Sequence, residues 1–298
     1  MRKRFHLFVI MMAILAACGV FGGNHAHAAS IGAADRMAVT VTGKGPDVVL
    51  IPGLASSGAV WDATVKHLSA THRVHVVQVA GFAGAPVGGN AEGPVVEPLV
   101  EAVDGYIKAN HLKAPAVIGH SMGGFTGLLL ARRHPEDVSR LMVVDSLPFF
   151  AVLFSPAATV ETVKPQAAAM RDGVTAMSPE AYASQQAMTA PRFVKSPDGQ
   201  KLVLAWSVAS SQSVVGRAMY DLLTTDARGE LAAIRTPVTL LYPYDPAMGA
   251  PTAAIDKTYA DAYAALSGVT LKRIDDARHF IMLDQPHAFA TAVETFLK

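Results

Sequence analysis

The chain has 298 residues, with 25 Lys and Arg against 24 Asp and Glu, for a net charge of +1. That balance supplies neither a nucleic-acid footprint nor a polybasic membrane surface. The length suits a leader plus one large α/β domain, and there are no internal repeats, charge blocks or extended low-complexity tracts.

The N-terminus reads as a targeting segment over residues 1–28. Arg2-Lys3-Arg4 is a positive start, residues 5–17 are nearly continuously apolar, and Ala26-His27-Ala28 offers a small-x-small cleavage site. Leu15-Ala16-Ala17-Cys18-Gly19 also resembles a bacterial lipobox, in which Cys18 would be lipidated, so two processing routes stay open. Both imply export to a periplasmic or secreted destination, with membrane contact only through an anchor at Cys18. Cys18 is the only cysteine, so no disulfide forms within the chain.

From residue 29 strands and helices alternate, the pattern of a parallel sheet wrapped by helices. Strands are expected at residues 36–42, 47–51, 73–79, 114–118, 140–145, 236–242 and 269–274. Helices are expected at residues 58–70, 94–111, 124–134, 252–266 and 286–297. The alternation fails at about residues 146–228. That stretch is rich in Ala, Met, Ser and Gln with helix-length pieces such as 205–223, and is expected to form a helical cap inserted over the sheet top. Phe149, Phe150, Phe154, Met170, Met177, Met188 and Trp206 are its candidate pocket-lining residues.

Gly119-His120-Ser121-Met122-Gly123 lies between an apolar strand and a helix. A sharp strand-to-helix turn strains the residue at the bend, and the flanking glycines remove the Cβ atoms that would block it. Ser121 is thus the candidate nucleophile, with the Met122 N–H free at the helix start to bind an oxyanion. A serine needs a base, and of eleven histidines His279 follows the last strand on a loop, where open α/β sheets carry their chemistry. The base needs an orienting carboxylate. Asp245, after the penultimate strand, fits the order Ser, Asp, His, and Asp145 is the alternative acid. The loop Pro52-Gly53-Leu54 follows the first buried strand, and the Leu54 N–H is the candidate second oxyanion donor.

These pieces resemble the α/β-hydrolase superfamily over nearly all of the mature chain. The matching motifs are Ile51-Pro52-Gly53-Leu54, Trp61-Asp62, Gly81-Phe82-Ala83-Gly84, Gly119-His120-Ser121-Met122-Gly123-Gly124, Asp245 and His279-Phe280. The resemblance implies an α/β-hydrolase fold, a mostly parallel central sheet flanked by helices with a helical cap insertion, and no cofactor or metal. It also implies Ser121, His279 and Asp245 as the catalytic set, with Leu54 and Met122 as oxyanion donors. Three positions depart from the family pattern: Pro52 for a histidine, Ala80 for an aspartate, and Arg278 for the glycine often found before the base. The expected activity is hydrolysis of a small-molecule carboxylic ester. Amidase, lactonase or cofactor-free perhydrolase (haloperoxidase-type) chemistry would use the same residues. A non-catalytic hydrolase-fold binding protein is the rival of another class.

Overall fold

A computed structural model describes residues 28–29 and 35–298. Residues 1–27 of the expected leader, including Cys18, lie outside the described residues. Among the described residues eight strands form one sheet in the order β1-β2-β4-β3-β5-β6-β7-β8. These are β1 (Ala28–Ala29), β2 (Met37–Gly43), β3 (Asp47–Ile51), β4 (Arg73–Val79), β5 (Ala116–His120), β6 (Arg140–Val144), β7 (Val238–Tyr244) and β8 (Thr270–Asp275). β2 pairs antiparallel with β1 and β4, and every other pairing is parallel.

The apolar runs of β3, β5 and β6 are continuous because both of their faces are covered. Alternate side chains leave opposite faces of a strand. Val49, Ile51, Val117, Leu141 and Val143 therefore pack on one side, with α2 (Val96–Ala109) and α3 (Met122–Arg133). Val48, Leu50, Ile118, Met142 and Val144 pack on the other, with α1 (Asp62–Leu68) and α10 (Pro286–Leu297). Trp61 and Phe289 stack at 6.0 Å on that second face. α8 (Thr252–Ala262) joins β7 to β8, and the one-turn α9 (Ile281–Asp284) precedes α10.

Between β6 and β7 run α4 (Val160–Ala176), α5 (Pro179–Phe193), α6 (Pro197–Ala209) and α7 (Gln212–Thr224). The expected single piece at 205–223 is thus two helices. The break at Ser210-Ser211 is held by the turn after β4: Ser210 Oγ accepts from the Ala83 N–H at 2.8 Å, and the Ser211 N–H donates to Gly81 O at 2.8 Å. The expected helix at 58–70 begins as a 3-10 turn, Gly58–Trp61, because Ser57 Oγ caps the Ala59 N–H at 3.1 Å. Among the described residues no helix is long and apolar enough to cross a membrane.

Candidate active site

Ser121 stands between β5 and α3 with φ +52° and ψ −118°. This is the strained bend that places a side chain at the top of a sheet. Its N–H donates to Val144 O of the neighbouring β6 at 2.9 Å, which ties the bend to the sheet. The flanking glycines are sterically required. A Cβ on Gly119 would meet Gly123 O at 2.1 Å, and one on Gly123 would meet Ile51 O at 2.2 Å. A Cβ on Gly53 would approach His120 Nδ1 at 2.9 Å and Ser121 Cβ at 3.1 Å, so the Gly53-Leu54 turn lies against the bend. Met122 is the first residue of α3, and its N–H has no helical carbonyl upstream. Its side chain is fully buried beneath the bend, while Leu54 reaches the cavity wall.

His279 follows β8 on the loop that leads into α9. Its Nδ1–H donates to Asp145 Oδ2 at 2.6 Å, which leaves Nε2 as the free nitrogen. The expectation of Asp245 at this position is corrected: the alternative, Asp145, holds it. Sheet register explains why. Val144 pairs with Leu241, but β7 continues to Tyr244, which pairs with Asp275. Asp245 therefore leaves its strand about 10 Å further along the sheet axis than Asp145 does. It is also occupied there, because Arg278 Nε donates to Asp245 Oδ2 at 2.7 Å. Burial favours the neutral form of Asp245. The Ala247 N–H, Arg278 and Lys195 outweigh that and hold its carboxyl below the usual range. Asp145 takes φ +46°, its N–H donates to Leu241 O at 2.8 Å, and its second oxygen accepts from the Tyr259 hydroxyl. Tyr259 is pushed well above its ordinary pKa by burial and by Asp145, so it is a neutral donor.

Two residues of this arrangement are missed by the sequence reading. Tyr259 lies on an unremarkable helix and has no motif. The other is His120, whose ring lies 4.5 Å from the His279 ring and 4.7 Å from Phe280. Its Nε2–H donates to His279 O at 2.9 Å. A carbonyl partner fixes the proton on Nε2, so Nδ1 is bare and, among the described residues, has no donor. Burial, reinforced by His279, holds His120 well below the ordinary histidine pKa. The motif position just before the serine was the available signal.

Ser121, His279 and Leu54 share a cavity of about 460 Å³ that is also lined by residues of α4, α5, α6 and α7. Met170, Met177 and Trp206 line it, as expected. Phe149 instead packs in a separate cluster with Ala151 and Val163, Phe150 packs against Phe125, and Phe154 and Met188 face solvent. Phe193, at the end of α5, supplies the aromatic wall beside His279, with ring centroids 5.2 Å apart.

A curated relative, the pimeloyl-[acyl-carrier protein] methyl ester esterase of Aromatoleum aromaticum, is 28% identical over 266 residues, covering 85% of this chain and 98% of the relative. The enzyme of the same name from Vibrio cholerae is 31% identical over 209 residues, covering 68% of this chain and 76% of its own. Among solved structures, a thermophilic esterase from Thermogutta terrifontis superposes with a TM-score of 0.73 at 19% identity, covering 88% of this chain and 92% of that one. The model of the alpha/beta hydrolase family matches residues 48–292, and the sheet order, the strained serine bend and the family match together make this chain a member of the alpha/beta hydrolase family.

Proposed function

We propose that this protein is an exported serine hydrolase that cleaves a carboxylic ester. Ser121 Oγ attacks the ester carbonyl as His279 Nε2 takes its proton, and the N–H groups of Leu54 and Met122 receive the oxyanion. The tetrahedral intermediate collapses with loss of the alcohol, which leaves carrying the proton from His279. Water then attacks the acyl-enzyme by the same route and frees Ser121. Asp145 keeps the imidazole in the tautomer with Nδ1 protonated and stabilises the imidazolium formed in each step.

The observation that carries this reading is the 2.6 Å bond between His279 Nδ1 and Asp145 Oδ2 beside the cavity lined by Ser121. The names of both curated relatives, methyl ester esterases, favour an ester over an amide or a lactone. The apolar lining contributed by Met170, Met177, Phe193 and Trp206 favours an apolar acyl or alcohol moiety. Export rests on the leader composition and on Ala26-His27-Ala28. Labelling with a fluorophosphonate probe tests the chemistry: wild type reacts, and Ser121→Ala does not. Equal labelling of the two would sink the enzyme reading. Cell fractionation with intact mass tests export, since protein found only in the cytoplasm and still carrying its N-terminal methionine contradicts it.

A further inference from the structure

Asp245 is unused by this chemistry, yet it is a buried charge shared between two parts of the molecule. Its side chain is 6% exposed and lies between two cations, Arg278 Nε at 2.7 Å and Lys195 Nζ at 3.7 Å. Arg278 immediately precedes the base, and its guanidinium also donates to Pro191 O in α5. Lys195 belongs to the linker between α5 and α6, and its ammonium also pairs with Asp276 at the start of the His279 loop. The backbones are joined as well. Asp284 accepts from the Lys195 N–H at 2.8 Å and from the Arg278 N–H at 2.9 Å. The Phe280 N–H donates to Phe193 O at 3.0 Å. Exposed ion pairs contribute little, but a buried carboxylate that loses its cations, or cations that lose their carboxylate, is costly.

We propose that Asp245, Arg278 and Lys195 are positioning residues that clamp the end of α5 to the His279 loop, so that the cavity wall at Phe193 and the imidazole move as one unit. The proposal rests on the serine-hydrolase reading for its effect on catalysis. It gives Asp245 a role in place of the one that chain order suggests. A substrate that pushes on the cap wall then acts directly on the base, which sits within ring contact of Phe193.

The test uses Asp245→Asn, Arg278→Gln, the double variant and Asp245→Glu in the full chain, with thermal melts to verify folding. Displacement of a reacting group by about 1 Å costs up to about a hundredfold, so each single variant is expected to lower kcat/KM by about tenfold. Because the two residues act through one contact, the double variant is expected to lose about tenfold as well, not the roughly hundredfold of independent sites. Asp245→Glu restores most of the loss. Additive losses overturn the clamp. So does loss of fluorophosphonate labelling in Asp245→Asn as complete as in Ser121→Ala, which would make Asp245 the orienting acid. Hydrogen exchange at the Phe280 amide reads the clamp independently of turnover. It is expected to quicken at least about fivefold in Asp245→Asn, and an unchanged rate refutes the clamp even in a protein without esterase activity.

Discussion

Replacing Asp145 by Asn tests the orientation of the base most directly. In the wild type its two oxygens have separate duties: Oδ2 accepts from His279 Nδ1–H at 2.6 Å, and Oδ1 accepts from the Tyr259 hydroxyl. An amide keeps one acceptor and gains a donor. If the NH₂ faces His279, it bonds only to an unprotonated Nδ1, the imidazole proton moves to Nε2, and the base points a proton at Ser121. If the NH₂ faces Tyr259, the phenol can turn to accept, the useful tautomer survives, and only the ionic stabilisation of the imidazolium is lost. The first outcome costs about 10⁴ in kcat, or about 5.4 kcal/mol at 1.36 kcal/mol per tenfold. The second costs less, because a hydrogen bond to a charged group contributes about 1.5–3 kcal/mol. The expected loss in Asp145→Asn is therefore between about a hundredfold and ten-thousandfold, against about tenfold for Asp245→Asn. Adding Tyr259→Phe removes the group that rewards the useful amide orientation and leaves either orientation open, so the double variant is expected to be no more active than Asp145→Asn. Initial rates on a chromogenic ester, with burst titration of active sites, measure all three. A larger kcat loss in Asp245→Asn than in Asp145→Asn refutes the assignment.

Gly123→Ala places a Cβ 2.2 Å from Ile51 O and 2.7 Å from Pro52 O, both backbone atoms at the end of β3. Relief requires moving the Gly53-Leu54 turn, so kcat is expected to fall at least about a hundredfold and stability by about 1–3 kcal/mol. Near-wild-type kinetics and melting would contradict the steric account. His120 is expected to make the fold acid-sensitive. Burial depresses its pKa in the folded chain, so below about 6.5 the unfolded chain binds a proton that the folded chain does not. Stability from this group is complete above pH 6.5 and is lost as pH falls, by up to about 1.4 kcal/mol per pH unit. His75, whose pKa burial also lowers despite Asp47, adds to the slope in every variant and cancels in a comparison. Denaturant unfolding from pH 7.5 down to about 5 should therefore give a shallower pH dependence for His120→Asn than for wild type. Parallel curves would contradict the burial argument.

The elbow could be read from the sequence because its steric demands fall within a few residues. A Cβ on Gly119 would strike the Gly123 backbone and a Cβ on Gly123 would strike the end of β3, so the spacing records the turn. The central strands could be read because both faces of β3, β5 and β6 are buried, which leaves continuous apolar runs. The cap was harder: much of α4, α5 and α6 is solvent-exposed, so apolar periodicity marks them weakly, and the Ser210-Ser211 break depends on a turn distant in sequence. The choice of acid lay in tertiary competition. Asp145 and Asp245 both follow parallel strands, and chain order favours the second. Two facts reverse that order: β7 runs three residues beyond the level at which β6 ends, and Asp245 already has cations of its own. One of those cations was visible in the sequence as a departure from the family pattern. Arg278 stands beside the base, where a glycine is common, and its guanidinium bonds to Asp245. The carboxylate it takes is thereby removed from the contest to orient His279.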